Sequence, residues 1–184
     1  LIPVWPHNNT QGAWDTGIHP ALLPGYKPLA EPGLDAQGIY QAVQEGRLGA
    51  LYIMGADPIG DGLMVGREAL DFLVVQELFL TPTAAAADVV LPAQSWAERD
   101  GTFTSGERRI QRYYPAIQPA GKSLPDWQIL GQIGERIGIG KTPIAAGQIF
   151  TELAKTTPQY KGISYRSLAR VEPQWPIVSD DDAY

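Results

Sequence analysis

The stretch Ala87-Asp88-Val89-Val90-Leu91-Pro92, carried on through Trp96-Ala97-Glu98-Arg99-Asp100-Gly101-Thr102-Phe103-Thr104-Ser105-Gly106-Glu107-Arg108-Arg109-Ile110-Gln111, decides the fold. Val89 to Leu91 is a short apolar run closed by Pro92, which has no N–H to offer a ladder, so it reads as a buried strand. The polar, glycine-containing stretch behind it reads as a loop at the end of that strand, where α/β proteins hold ligands. Glu98, Arg99, Asp100, Glu107, Arg108 and Arg109 are interleaved there with Trp96 and Phe103. Two readings are open. One is a solvated loop with weak surface ion pairs. The other is a partly buried lock, in which Arg108 or Arg109 bonds a carboxylate among Glu98, Asp100 and Glu107, with Phe103 packed inward.

Outward from this stretch, two more apolar runs read as strands of the buried parallel kind: Ala50 to Met54 and Phe72 to Gln76. Helical patterns separate the runs, which predicts right-handed crossovers and an α/β, doubly wound, mainly parallel (Rossmann-like) sheet. Asp35 is placed to cap a helix over residues 36–45 that turns Ile39, Tyr40 and Val43 to one side and ends at Gly46. Further helices are expected over 63–70, from the introducing stretch 121–127 to about 137 (stripe Ile129/Leu130, Ile133, Ile137; stop at Gly138) and over 145–156 (Ile149, Phe150 and Leu153 inward), with a short helical turn at 84–87 and a short helix at 165–169. Residues 1–34 are dense in Pro, Gly and Asn and read as an extended leader with one helical turn near 21–23. Three parts follow: a leader over 1–34, an α/β domain over 35–140 and a helical appendage over 141–184. The acidic end Asp180-Asp181-Asp182 is expected to fray.

Composition removes several function classes. With Lys+Arg 14 against Asp+Glu 20, the chain carries a formal charge of −6, which argues against a nucleic-acid binder. Cysteine is absent, so disulfides, thiolate nucleophiles and iron–sulfur ligation are excluded for this stretch of chain. His7 and His19 supply at most half of a tetrahedral metal site, and each reads as a loop histidine. No apolar run approaches the roughly 20 residues that span a bilayer, so direct membrane insertion is not expected. The first residue, Leu1, is not methionine, which suggests a processed chain or a piece of a longer one.

The ordered run ADVVLP…WAERDGTFTSGERRIQ resembles the molybdopterin oxidoreductase family, which includes formate dehydrogenases, nitrate reductases and the large iron–sulfur subunit of respiratory complex I. The resemblance covers about residues 8–138 and is densest over 55–111. Gly55-x-Asp57-Pro58 is similar to a Gly-x-Asn/Asp-Pro element that lies near the guanine end of the family's cofactor. Gln76-Glu77-Leu78-Phe79-Leu80-Thr81-Pro82-Thr83 resembles a loop whose acid and threonines approach the guanine. Asn8 to Gly17, followed by Leu23-Pro24-Gly25-Tyr26, resembles the segment of formate-dehydrogenase-like members that runs beneath the pterin. On residue type alone, Asn8 to Gly17 means turns, and Gly55 to Gly62 a tight turn after a strand.

The resemblance implies a cofactor-binding set of Gly55, Asp57, Gln76, Glu77, Thr81, Thr83, Asp88, Gly101, Thr102 and Arg108, with no catalytic residue and no metal ligand. The family's cofactors are molybdopterin guanine dinucleotide and, upstream of this segment, iron–sulfur clusters; none is expected in this fragment alone. Val74 to Thr81 and Thr102 to Gln111 look most like complex I, and Ser105-Gly106 stands where cofactor-bearing relatives commonly carry Asn-Thr or Asn-Ala. The expected function is therefore a scaffold fragment of the peripheral-arm large subunit of NADH:quinone oxidoreductase. Its expected partners are other domains of its parent chain and other complex I subunits, and its expected location is the cytoplasmic side of the membrane, held there through the complex. The alternative is a fragment of a formate dehydrogenase-like enzyme that binds the bis-guanine dinucleotide molybdenum cofactor.

Overall fold

A computed structural model describes residues 4–170. In chain order the elements are α1 (Thr10–Asp15), β1 (Leu22–Leu23), β2 (Lys27–Pro28), α2 (Ala36–Gln44), β3 (Ala50–Met54), β4 (Phe72–Glu77), α3 (Pro82–Ala85), β5 (Val89–Pro92), β6 (Gly101–Thr104), β7 (Ile110–Tyr113), α4 (Asp126–Arg136) and α5 (Ala146–Thr156). They gather into two compact units that are discontinuous in sequence. One holds residues up to Gly33 with Asp100–Ala116 and the segment from Pro143; the other holds Leu34–Arg99 with Ile117–Thr142.

The second unit carries the parallel sheet expected from the three apolar runs. Strand β4 lies in the middle, parallel to β3 (Leu51 beside Leu73, Ile53 beside Val75) and to β5 (Val75 beside Val90). Residues in register share a face. Leu73, Val75 and Ile53 accordingly form one core with Val43 of α2, Ala84 of α3, Met64 and Leu70. On the opposite face, the Gln76 side chain meets Asp126 in the first turn of α4, so helices flank both faces. Helix α2 starts as expected: the Asp35 carboxylate accepts the Gly38 N–H at 2.8 Å, and Gly46 takes φ +67 just past the end.

Four expectations change here. Residues 63–70 form bends and a short turn, not a helix; there the Arg67 guanidinium reaches the carbonyls of Ala86 and Leu70 and pairs with Asp88 at 2.6 Å. The turn expected at 84–87 comes two residues earlier, where Thr81 caps it and Pro82 suits a first helical position. Strand β5 is not buried: Val89 and Val90 are 37% and 40% exposed, because it is an edge strand of a three-stranded sheet. Half of the α4 stripe is likewise open, with Ile129 buried but Leu130 and Ile137 exposed.

In the first unit, the stretch read as a loop is an antiparallel hairpin, β6 against β7. Its alternation turns Thr104 and Ile110 inward and leaves Phe103 half-buried, stacked on Tyr113 at 4.4 Å, which corrects the inward Phe103. Arg109 does pair with Glu107, at 3.2 Å, in a partly exposed position. The stronger lock was missed. Arg112 forks onto Asp100 at 3.0 and 2.8 Å and lies over the rings of Tyr114 and Tyr165. The Glu98 carboxylate has a different task from the one expected: it caps the N–H groups of Ser95 and Ala120.

The leader is more ordered than its composition suggests. Helix α1 occupies part of the stretch read as turns, and residues 22–23 are a strand paired with 27–28, not a helical turn. Asp15 of α1 is fully buried and accepts from Gln11 Nε2 (2.8 Å), the Tyr26 hydroxyl and the Tyr160 hydroxyl (2.8 Å). Tyr160 also shares a hydrogen bond with Thr104 of β6 at 2.8 Å. Burial, reinforced by the Asp15 charge, pushes the Tyr160 hydroxyl well above the ordinary phenol range, so it stays a neutral donor. Helix α5 packs Phe150 against Tyr160, Ile163 and Leu168, as its stripe predicted. The short helix expected over 165–169 forms as one turn of 3-10 helix over Ser167–Ala169, and the triplet Asp180-Asp181-Asp182 lies outside the described residues.

Removing the Tyr160 hydroxyl (Y160F) leaves Asp15 and Thr104 each one partner short in a buried site. The expected cost is about 1–3 kcal/mol, read as a lower urea midpoint with unchanged slope. A midpoint equal to wild type would show that this network contributes nothing to stability.

Candidate functional site

Because β3, β4 and β5 are parallel, their carboxyl ends line one edge of the sheet, and the loops that leave there are the natural place for a ligand. Their roots are aligned by the backbone: the Gly55 N–H donates to the Gln76 carbonyl at 3.0 Å, and the Ala93 N–H to the Glu77 carbonyl at 3.1 Å. Gly55 itself has φ +64 and no atom within 4 Å of where a Cβ would stand, so the backbone turns sharply and leaves open space.

Asp57 ties two of these loops together. Its Oδ1 accepts the Thr83 N–H (2.9 Å), the Thr83 hydroxyl (2.5 Å) and the Gly60 N–H (3.1 Å), while the Thr83 oxygen accepts the Ile59 N–H at 3.0 Å. The Thr83 hydroxyl, followed by the backbone donors, holds the Asp57 carboxyl below the usual carboxylate range. Gln76 is fully buried. Its Oε1 accepts from the Tyr52 hydroxyl and its Nε2 donates to Asp126 Oδ1 at 2.6 Å, while Asp126 Oδ2 pairs with Arg99. Glu77 is partly exposed, and its Oε1 accepts the N–H of Leu78 at 2.7 Å. The Thr81 hydroxyl accepts the Ala84 N–H as the cap of α3.

The edge thus gathers Gly55, Asp57, Gln76, Glu77, Thr81 and Thr83. It does not gather Asp88. That residue precedes β5, so in a parallel sheet it stands at the amino end, where its carboxylate accepts the Leu73 N–H at 2.7 Å and pairs with Arg67. Gly101, Thr102 and Arg108 belong to the hairpin of the other unit. A Cβ on Gly101 would collide with Tyr113, Thr102 stands opposite Arg112, and Arg108 takes φ +71 in the turn. Missed by sequence reasoning were Tyr52, Arg99 and Asp126. The Pro125-Asp126-Trp127 start of α4 signalled a helix, but nothing in it pointed across 50 residues to Gln76.

The hairpin unit has a recess of its own, about 460 Å³, between residues 4–8 and the outer face of the hairpin. Trp5 and Phe103 line it together with His7, Asn8, Ser105 and Glu107.

Comparison with known proteins now decides the family. The profile of the molybdopterin oxidoreductases matches residues 27–136. The chain belongs to the molybdopterin oxidoreductase family. It is 37% identical to the F420-dependent formate dehydrogenase 2 subunit alpha of Methanococcus maripaludis, over 98% of this chain and 30% of that protein. It is 40% identical to a putative formate dehydrogenase of Staphylococcus haemolyticus, over 97% of this chain and 20% of that one. The probable oxidoreductase YjgC of Bacillus subtilis is 38% identical, over 97% and 20%. The chain therefore spans 20% to 30% of the length of these relatives. The solved acetylene hydratase from Pelobacter acetylenicus has the same fold, with a TM-score of 0.60 at 16% identity over 92% of this chain and 25% of the hydratase.

The family implies a molybdenum cofactor. The open glycine at Gly55 leaves room for a close backbone approach, and Glu77 retains a carboxylate oxygen suited to the N–H donors of a guanine edge. Gln76 and Thr83 spend their polar atoms inside the protein, Asp57 Oδ1 and the Thr81 oxygen accept internal N–H groups, and Asp88 stands at the amino end.

The Asp57–Thr83 clasp has a pH signature. A depressed folded-state pKa means that the unfolded chain binds the proton more readily. The contribution is complete above the unfolded value of about 3.9 and is lost as pH falls through the folded value. The difference in urea midpoint between wild type and D57N is therefore expected to be flat above about pH 5 and to shrink below about pH 4. A difference independent of pH would show that the clasp does not depend on the charge.

Proposed function

We propose that this chain is part of a formate dehydrogenase-like molybdenum enzyme, and that the carboxyl edge of its parallel sheet forms one wall of the site for the nucleotide end of a molybdopterin guanine dinucleotide. The observation that carries this reading is identity of 37% to 40% with formate dehydrogenases across nearly the whole chain. The F420-dependent formate dehydrogenase subunit alpha of Methanocaldococcus jannaschii adds to it, at 39% identity over 97% of this chain and 30% of that protein. These relatives favour the formate dehydrogenase alternative over the complex I scaffold that Val74 to Thr81 had suggested.

The chemistry such a group supplies when bound is two-electron redox, which ordinary side chains cannot perform. The chain's own contribution is binding and orientation. Gly55 leaves space at the turn, Glu77 accepts from the guanine, and the Asp57–Thr83 clasp keeps the two loops in register. The partners of this chain are the remaining domains of its parent polypeptide.

The test is the full parent enzyme, purified from a host that makes molybdenum cofactor. Expected are stoichiometric molybdenum and GMP released on acid hydrolysis, with GMP lowered severalfold in E77A. An active parent enzyme free of molybdenum would return the complex I scaffold reading. GMP content unchanged in E77A would remove Glu77 from the site.

A further inference from the structure

Gln76 entered as a candidate ligand, yet it is fully buried and both ends of its amide are taken: Oε1 by the Tyr52 hydroxyl, Nε2 by Asp126 at 2.6 Å. Asp126 is fixed in turn by Arg99. The relay therefore runs Arg99–Asp126–Gln76–Tyr52 and joins β3, β4, α4 and the segment behind β5 within one unit. The donor pattern has one polarity: tyrosine donates to the amide oxygen, and the amide nitrogen donates to the carboxylate.

The same residue sets the backbone of the edge. Its carbonyl accepts the Gly55 N–H, which starts the first loop, and the next carbonyl, that of Glu77, accepts the Ala93 N–H, which starts the third. The Gln76 side chain points to one face of the sheet, so Glu77 points to the other. Fixing the Gln76 amide therefore fixes where the Glu77 carboxylate leaves the strand and where Gly55 turns. Asp57 and Thr83 tie the loops farther out, but their positions depend on these roots.

We propose that Gln76 is a positioning residue and not a ligand: the relay Arg99–Asp126–Gln76–Tyr52 holds the roots of the edge loops so that Glu77 and Gly55 meet a guanine nucleotide. The proposal rests on the function proposed above and goes further, by assigning the buried relay a role in how tightly that nucleotide end is held. It involves no covalent step and no proton transfer.

Reversing the polarity tests it. Q76E sets a second carboxylate against that of Asp126. The double variant Q76E/D126N restores every bond. The amide introduced at position 126 accepts from Arg99 through its oxygen and donates through its nitrogen to the carboxylate introduced at position 76. That carboxylate still accepts from the Tyr52 hydroxyl. The parent enzyme in wild-type, Q76E and Q76E/D126N forms is produced in a host that makes molybdenum cofactor. Aggregated protein is removed by gel filtration, and GMP is measured per folded molecule alongside the thermal midpoint. Expected is at least a roughly fivefold drop in GMP per folded molecule for Q76E, with recovery to within about twofold of wild type in the double variant. A purely structural role would move the midpoint and the yield but leave GMP per folded molecule unchanged, and that result overturns the proposal. Wild-type enzyme without GMP overturns both this proposal and the function beneath it. Wild-type enzyme with GMP, matched by an equally loaded Q76E, overturns the positioning role alone.

Discussion

Parallel pairing of β3 and β5 with a central β4 is the constraint on which the rest of the second unit depends. Parallel strands cannot be joined by a tight turn, so each connection must cross back over a face of the sheet and start again at the same end. All carboxyl ends then fall on one edge and all amino ends on the other. The first edge carries Gly55, Glu77 and Pro92; the second carries Asp88, with Arg67 and the Leu73 amide. A side chain's value to a ligand in this unit is decided first by which edge it occupies.

That rule explains much of what the sequence did and did not disclose. The three apolar runs and the helices at 36–44, 126–136 and 146–156 were readable because each is a local pattern, the first two helices bounded by local signals as well: Asp35 and Gly46, Pro125 and Gly138. The position of Asp88 was also readable in principle, since a residue that precedes a parallel strand cannot share an edge with residues that follow its neighbours. What stayed hidden depends on partners distant in sequence. Tyr160 reaches Asp15 across 145 residues, and Gln76 reaches Asp126 across 50. No periodicity encodes such pairs. The hairpin was hidden for another reason. Its strands are four residues each, and Arg112, which holds Asp100, lies one residue past the motif that drew attention.

The candidate site shows the same division. Six of the ten residues that the resemblance implied, among them acids, threonines and an amide, lie at the carboxyl edge. Their roles separated only with geometry, because an oxygen that already accepts two or three internal hydrogen bonds, as Asp57 Oδ1 does, has little left for a ligand. Asp57 Oδ1 and Thr83 bind each other, Thr81 caps a helix, Gln76 is enclosed, Glu77 is half-buried and Gly55 is exposed. Exposed apolar residues on the other face, Tyr52, Met54 and Phe72 among them, accompany a chain that spans 20% to 30% of its relatives.

The central claim is that the carboxyl edge, and not the amino edge, meets the nucleotide end of the cofactor. Hydrogen–deuterium exchange of the parent enzyme tests it most directly, comparing protein from a host that makes molybdenum cofactor with protein from one that does not. Slower exchange is expected in the loaded enzyme at residues 55–62 and 77–83, with residues 67–73 and 86–88 unchanged. Equal exchange at the carboxyl edge in the two preparations, or protection confined to the Arg67–Asp88 side, would contradict it.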